Sequence, residues 1–377
     1  MHVTFLLVLI LLLIVLRVDS FMATDTSVDD GSCNDSTDTS PLEQARSLQP
    51  PMPQATKYAE FEDAEYWDEH GQLIQDAWKE WENSIDITNN DVEFIINPTL
   101  STALYNVFEH PTEENESQVR SLWKAKTDDE QSLLPKGVYS IQLLTPSGIS
   151  YIRNLLDLAS SSRIPTRRPN GMNRNGFIID SNVNGAVSVK SLVQLVEEEI
   201  INRVVRPVGR MLYPDRIGCD DDIEYFAFTI RYDGTDDDQD GNDDINSKDF
   251  ELKEHRDASV ITLNINLNLP GEGYDGSEVY FRGYPTEEWT VDERASDDEG
   301  GIVRFSPGMA IIHLGAHRHG SLPITSSKSK TGKRYNLVIW LFGKDGDVRI
   351  ASYKKEEQTN VVQRWLGCNQ TKGYIFG

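Results

Sequence analysis

Residues 251–266 read ELKEHRDASVITLNIN, and the fold turns on how this stretch is read. His255 and Asp257 stand at i and i+2, directly ahead of the β-branched run VITLNIN, so both side chains can project to one face at the mouth of a strand. Of the seven histidines, only His255 has an Asp at the second following position. On either side the chain continues as short strands: YFAFTIRY before it, then SEVYFRG, GGIVRF, MAIIHLG and KRYNLVIWLF, with Gly, Pro, Asp and Ser between. Upstream, VYSIQLL reads as a strand, SGISYIRNLLDLAS as a helix, NGFIID as a strand and SVKSLVQLVEEEIINRVVRPVGRMLY as a long amphipathic helix. Helices first and many strands afterwards predict an α+β fold, a β-sandwich or open barrel flanked by helices.

Composition narrows the function classes. The chain has 377 residues, and 36 Lys and Arg against 61 Asp and Glu leave a formal charge of −25. That excess opposes binding to phosphate backbones, so no nucleic-acid partner is expected. Cys33, Cys219 and Cys368 are too few and too scattered for a disulfide framework or a zinc site; two can pair and leave one free, and spacing does not choose the pair. Residues 3–16, VTFLLVLILLLIVL, form an apolar run of signal-peptide length, short for a membrane span of about 20 residues. They predict entry into the secretory pathway (endoplasmic reticulum or Golgi lumen, or export), and because Arg17 lies on the wrong side of the run an uncleaved membrane anchor stays open. Glycosylation triplets beginning at Asn34, Asn115 and Asn369 are compatible with that route. Residues 21–55 are polar and Pro-containing and predict a disordered acidic linker.

A second cluster answers His255 and Asp257. HLGAHRHGSLPI supplies His313, His317 and His319 within seven positions. Two imidazoles and one carboxylate on one face of a metal leave positions open for substrate and oxygen, the facial triad of non-haem Fe(II) oxygenases. His313 sits in the apolar run MAIIHLG, where a neutral core histidine is expected, while His317 and His319 share a face and alternation does not separate them. His319 is nearest the hairpin that returns the chain to Arg334. Arg334 could hold a cosubstrate carboxylate in a bidentate contact or make a surface salt bridge, and spacing leaves the two readings even.

Over residues 137–343 the chain resembles the catalytic domain of 2-oxoglutarate- and iron-dependent dioxygenases of the prolyl/lysyl hydroxylase type, and among them the branch named "2-oxoglutarate and iron-dependent oxygenase domain-containing". The matching segments are RRPNGMNRNG, RPVGRMLYPD, YFAFTIRY, HRDASVITLNINL, GSEVYFRG and HLGAHRHGSLPITS…GKRYNLVIWL, in the family's order. The resemblance implies a double-stranded β-helix (jelly-roll) core with flanking helices. It matches His255, Asp257 and His319 to the iron ligands, since the family's iron His stands four residues before a Pro as His319 does before Pro323. Arg334 matches the residue holding the distal carboxylate of 2-oxoglutarate, and Tyr232 the Tyr lining the same pocket. The implied cofactors are Fe(II), 2-oxoglutarate as cosubstrate and ascorbate; the implied partners are O2 and a protein or peptide substrate hydroxylated at a prolyl or lysyl residue. The chain then divides into a signal peptide or anchor (1–20), the linker (21–55), a helical N-terminal extension (56–135), the dioxygenase domain (136–350) and a polar tail (351–377). An inactive secretory binding module on the same fold is the alternative, and no ligand is missing to favour it.

Three departures stand out. The link from Tyr232 to His255 is expanded by an acidic loop whose opening imitates a calcium loop, but Ser247 replaces the bidentate Glu expected at its twelfth position. Gly276 and Ser277 stand where the family usually has a Gly pair, and SSKSK lengthens the hairpin before Arg334.

Overall fold

The computed structural model describes residues 39–50, 64–85, 95–125, 134–169, 175–233, 250–282, 301–325 and 332–368. The apolar run at 3–16, Cys33, the acidic loop at 234–249 and the SSKSK insertion lie outside these residues. Every helix and strand of the described residues lies in one compact unit that begins at Ser40.

Four helices come first: α1 (Pro41–Ser47), α2 (Ala64–Ser84), α3 (Pro98–Glu109) and α4 (Glu113–Leu122). Each of α1, α3 and α4 starts at a side-chain cap, Ser40, Asn97 and Thr112, which accepts from a backbone N–H that has no partner within the helix. Helix α1 lies inside the stretch expected to be a disordered linker. Burial of Leu42 and Ala45 against the core, with the Leu42 N–H donating to Glu80, supplies the tertiary contact that composition does not display. The Trp spacing of α2 does what an apolar stripe should: Trp67, Ile74, Trp78 and Trp81 are buried.

After β1 (Tyr139–Gln142), helix α5 spans Pro146–Ser161. The long helix expected at 188–213 is one helical run with a widened middle: α6 (Lys190–Gln194), a π-helical stretch Leu195–Val205, and α7 (Arg206–Leu212). The strand expected at NGFIID is reduced to isolated bridges, Ile178 to Phe228 and Ile179 to Val187.

The remaining strands are β2 (Glu224–Asp233), β3 (Leu252–His255), β4 (Ile261–Asn266), β5 (Asp275–Gly276), β6 (Val279–Arg282), β7 (Gly301–Val303), β8 (Met309–Leu314), β9 (Arg318–Ser321), β10 (Ile324–Thr325) and β11 (Lys333–Phe342). They form a five-stranded sheet in the order β1-β8-β4-β11-β2, a four-stranded sheet β3-β9-β6-β7 and the pair β10-β5, all with antiparallel neighbours. Strands β2, β8 and β11 of the larger sheet carry apolar side chains on both faces and read as near-continuous apolar runs, whereas β4 alternates Ile and Leu with Thr and Asn. Leu337, Ile339 and Leu341 of β11 enter the main core with the helices. Val338 joins Phe228, Ile230 and Tyr232 of β2 in a second apolar cluster on the other face.

The tail is not wholly peripheral. Helix α8 (Val361–Leu366) buries Trp365 in the main core, and the buried Glu116 accepts from Arg364 Nε at 2.7 Å, Arg364 Nη2 at 2.6 Å and Trp365 Nε1 at 2.8 Å. Cys219 and Cys368 form a disulfide with Cα atoms 5.7 Å apart, choosing the pair that spacing left open. None of the described helices is long and apolar enough to cross a membrane.

Candidate metal centre and anion pocket

Strand register brings the predicted residues together in pairs. His255 faces His319 across β3 and β9, and Tyr232 faces Arg334 across β2 and β11. Asp257 lies just past β3, its N–H donating to the carbonyl of Gly315 at 2.9 Å in the turn after β8. A Cβ at Gly315 would stand 2.1 Å from the Ser259 carbonyl oxygen, so only glycine lets the two turns close on each other.

His255, Asp257 and His319 offer ligand atoms that all lie within 4.8 Å of one another. His255 Nε2 is 3.4 Å from Asp257 Oδ1, and His319 Nε2 is 3.6 Å from Oδ2. Each imidazole is oriented from behind: the Nδ1 of His255 bonds the Lys253 carbonyl at 2.8 Å, and that of His319 bonds the His317 carbonyl at 2.8 Å. A carbonyl only accepts, so Nδ1 carries the proton and both Nε2 lone pairs face the carboxylate, the tautomer a metal requires. Thr262 donates to Asp257 Oδ2 at 2.6 Å and fixes the carboxylate rotamer.

The electrostatics suit a cation. Burial pushes the Asp257 carboxyl up, but the His319 and His255 rings beside it override this and hold it well below the usual carboxylate range. Burial pushes His319 down, keeping it neutral and ligand-ready, with Asp257 only partly offsetting. Burial also pushes His255 down, but there the Asp257 carboxylate beside it outweighs this and the ring is raised. His313 is pushed by burial down to about 3; its ring is buried against His319 and Phe281, as expected of a neutral core histidine. His317 is buried against Phe281 and contributes its carbonyl, not its ring, to the orientation of His319.

A cleft runs from this triad to Arg334, with apolar walls that include Phe228, Val279 and Val338. Arg334 is only 1% exposed, which removes the surface salt-bridge reading, and no carboxylate pairs with it among the described residues. A buried guanidinium without a counter-ion is unfavourable, so the geometry calls for an anion at this end of the cleft. Its Nε donates to Asn336 at 2.7 Å; Nη1 donates to the Ser277 carbonyl, to Ser277 Oγ at 2.9 Å and to Ser321 Oγ at 3.1 Å. The bidentate fork expected from the sequence is therefore largely spent on the protein, and Nη2 is the nitrogen without a protein acceptor among the described residues. The Tyr232 ring packs 4.6 Å from the guanidinium carbon.

No family model matches the chain. It is, however, 26% identical over 237 residues to the 2-oxoglutarate and iron-dependent oxygenase domain-containing protein 2 of Xenopus tropicalis, covering 63% of this chain and 57% of that protein. It is 27% identical over 208 residues to the Arabidopsis thaliana 2-oxoglutarate and iron-dependent oxygenase domain-containing protein ICU11, covering 54% and 45%. The chain is a relative of these oxygenase-domain proteins. It spans about half the length of the curated relatives it matches. Among solved structures, a Pseudomonas putida prolyl-4-hydroxylase aligns over 55% of this chain and 93% of its own at 12% identity, with a TM-score of 0.34.

For a relative of the oxygenase-domain proteins, the polar shell of this cleft is the part that motif reading missed. Arg334 can only donate, so the Oδ1 of Asn336 accepts from it, its Nδ2 donates to Asn264 Oδ1, and the Nδ2 of Asn264 is left as a donor on a residue lining the cleft. Thr262, Asn264 and Asn266 were visible as polar residues alternating with Ile and Leu in ITLNIN, which places them on one strand face. Ser277 and Ser321 carried no such signal, because their role depends on which strands meet.

Proposed function

We propose that this chain is an Fe(II)- and 2-oxoglutarate-dependent dioxygenase that hydroxylates a C–H bond and releases succinate and CO2. Its two larger antiparallel sheets are read as the double-stranded β-helix of that family. One observation carries the proposal: an ionised carboxylate and two Nε2 atoms, preset for a divalent cation, stand at one end of a cleft whose other end is a buried guanidinium with no carboxylate partner among the described residues. That pair of charges suits a metal-chelating acid with a second, distal carboxylate.

His255, Asp257 and His319 would hold the iron, which when bound supplies the activation of O2 that no amino-acid side chain provides. The remaining work belongs to the protein. Arg334 Nη2 and the Asn264 amide donate to the anion, the Tyr232 ring packs against the Arg334 guanidinium, and Phe228, Val279 and Val338 exclude water from the anion's methylene chain. Ascorbate is proposed as the reductant that keeps the metal ferrous. The proposed substrate is a prolyl or lysyl side chain of a protein or peptide. The proposed location is the secretory pathway, with residues 3–16 as signal or anchor; the Cys219–Cys368 disulfide supports it, since such bonds persist in oxidising compartments.

Anaerobic titration of the Fe(II)-loaded protein with 2-oxoglutarate tests the central reading. A visible metal-to-ligand absorption band should appear, followed by succinate release on admitting oxygen; absence of the band removes the enzyme hypothesis. Mass spectrometry of candidate protein substrates then tests the residue, and a fusion of residues 1–30 to a cytosolic reporter tests the route, which fails if the reporter stays in the cytosol.

A further inference from the structure

Ser277 is a Cβ-bearing residue with φ +57°, a left-handed conformation that residues other than glycine disfavour, and it is only 1% exposed. It follows Gly276, itself at φ +73°, in β5. The surroundings hold it there: Gly276 pairs with Ile324, and the Ser277 N–H donates to the Pro323 carbonyl at 3.0 Å. In that conformation its carbonyl oxygen and its hydroxyl both accept from Arg334 Nη1, and Ser321 Oγ, 3.3 Å from Ser277 Oγ, closes the cradle.

An arginine at the end of a pocket is normally a poor ruler, because its long side chain can follow ligands of different length. Here Nε is fixed by Asn336 on its own strand and Nη1 by Ser277 in the β5–β6 link and Ser321 of β9, so the guanidinium cannot slide along the cleft. The gap between the metal triad and Nη2 is set by the protein.

We propose that Ser277 is a specificity-determining residue: by pinning Arg334 from a strained backbone it fixes the length of dicarboxylate the cleft accepts. This rests on the reading of the cleft as a 2-oxoglutarate pocket. Loss of the hydroxyl removes one of the three acceptors around Nη1, leaves the Ser277 carbonyl and Ser321 Oγ in place, and loosens Arg334 enough to follow shorter or longer ligands.

The test is calorimetric binding to the full chain loaded with Mn(II) without oxygen, comparing 2-oxoglutarate with oxaloacetate and 2-oxoadipate, one methylene shorter and longer. Wild type should prefer 2-oxoglutarate. Ser277→Ala and Ser277→Gly should each bind it about tenfold more weakly, discriminate less against the other two acids, and keep wild-type Mn(II) affinity. Ser277→Gly should also melt no lower than wild type, since glycine adopts the conformation without strain, and it carries the test alone if Ser277→Ala does not fold. If wild type binds no 2-oxoglutarate, the functional reading itself falls. If wild type binds it and the variants retain its affinity and selectivity, or lose Mn(II) affinity in parallel, the assignment to Ser277 is overturned and the pocket reading stands.

Discussion

Arg334 and His319 are the residues on which the proposed chemistry is most exposed to test. Arg334→Ala should raise the apparent KM for 2-oxoglutarate while leaving iron affinity nearly intact. Removing one partner of a desolvated charge pair costs about 2–5 kcal/mol, far above the value of a surface pair. Steady-state succinate assays read it, and an unchanged KM would mean that the guanidinium serves only its serine and asparagine neighbours. His319→Ala should abolish iron-dependent turnover, whereas His317→Ala, which keeps the carbonyl that orients His319, should retain metal and measurable activity. Metal content of the two purified variants decides between them, and the reverse pattern would shift the ligand assignment by two residues. At this scale much was legible: an HxD pair before a strand, a distal histidine cluster and a basic strand end all announce themselves in one dimension. Ser277 did not, because a serine in a turn says nothing about an arginine 57 positions away until two sheets bring them together.

Strands β2, β4, β6, β7, β8 and β11 were visible as β-rich runs between turn residues, and KRYNLVIWLF matches β11 from end to end, whereas the short strands β3, β5, β9 and β10 were not read, being too brief and polar to show a pattern. Register was not visible, and it is register that sets His255 opposite His319. The helical run at 190–212 was read with the right extent but not its π-helical middle, since widening by one residue per turn leaves the apolar pattern nearly unchanged. Beside this run Asp180, bonded by the Asn182 N–H at 2.7 Å, has its carboxyl raised chiefly by burial. A raised carboxyl is held protonated longer in the folded state, so its ionisation costs stability as pH climbs from the ordinary Asp range of about 3.9 through the raised value. Asp180→Asn keeps the acceptor for Asn182 and removes that cost. Its melting temperature should exceed that of wild type by a margin that grows across this window and levels off toward neutral pH; thermal melts at a series of pH values check the sign.

At the scale of the molecule, the tail is fastened twice to the body, once by the Glu116 clamp and once by the disulfide. Polar composition suggested a peripheral tail because a single Trp is a faint signal in 27 residues, yet Trp365 is the one that docks. Glu116→Ala should destabilise the chain by about 3 kcal/mol in urea titrations, since it leaves the mostly buried Arg364 with only the exposed Glu113 carboxylate, 3.8 Å away. Glu116→Gln, which still accepts from Trp365, should cost less.

The disulfide has a topological consequence. Cys219 precedes β2 and Cys368 follows β11, so the bond encloses His255, Asp257, His319 and Arg334 in one covalent ring with a sequence separation of 149 residues. A single protease cut anywhere inside that ring opens it without releasing a fragment. Nicked protein should therefore run as one band without reductant and as two with it, and the severed halves should stay joined as they refold together.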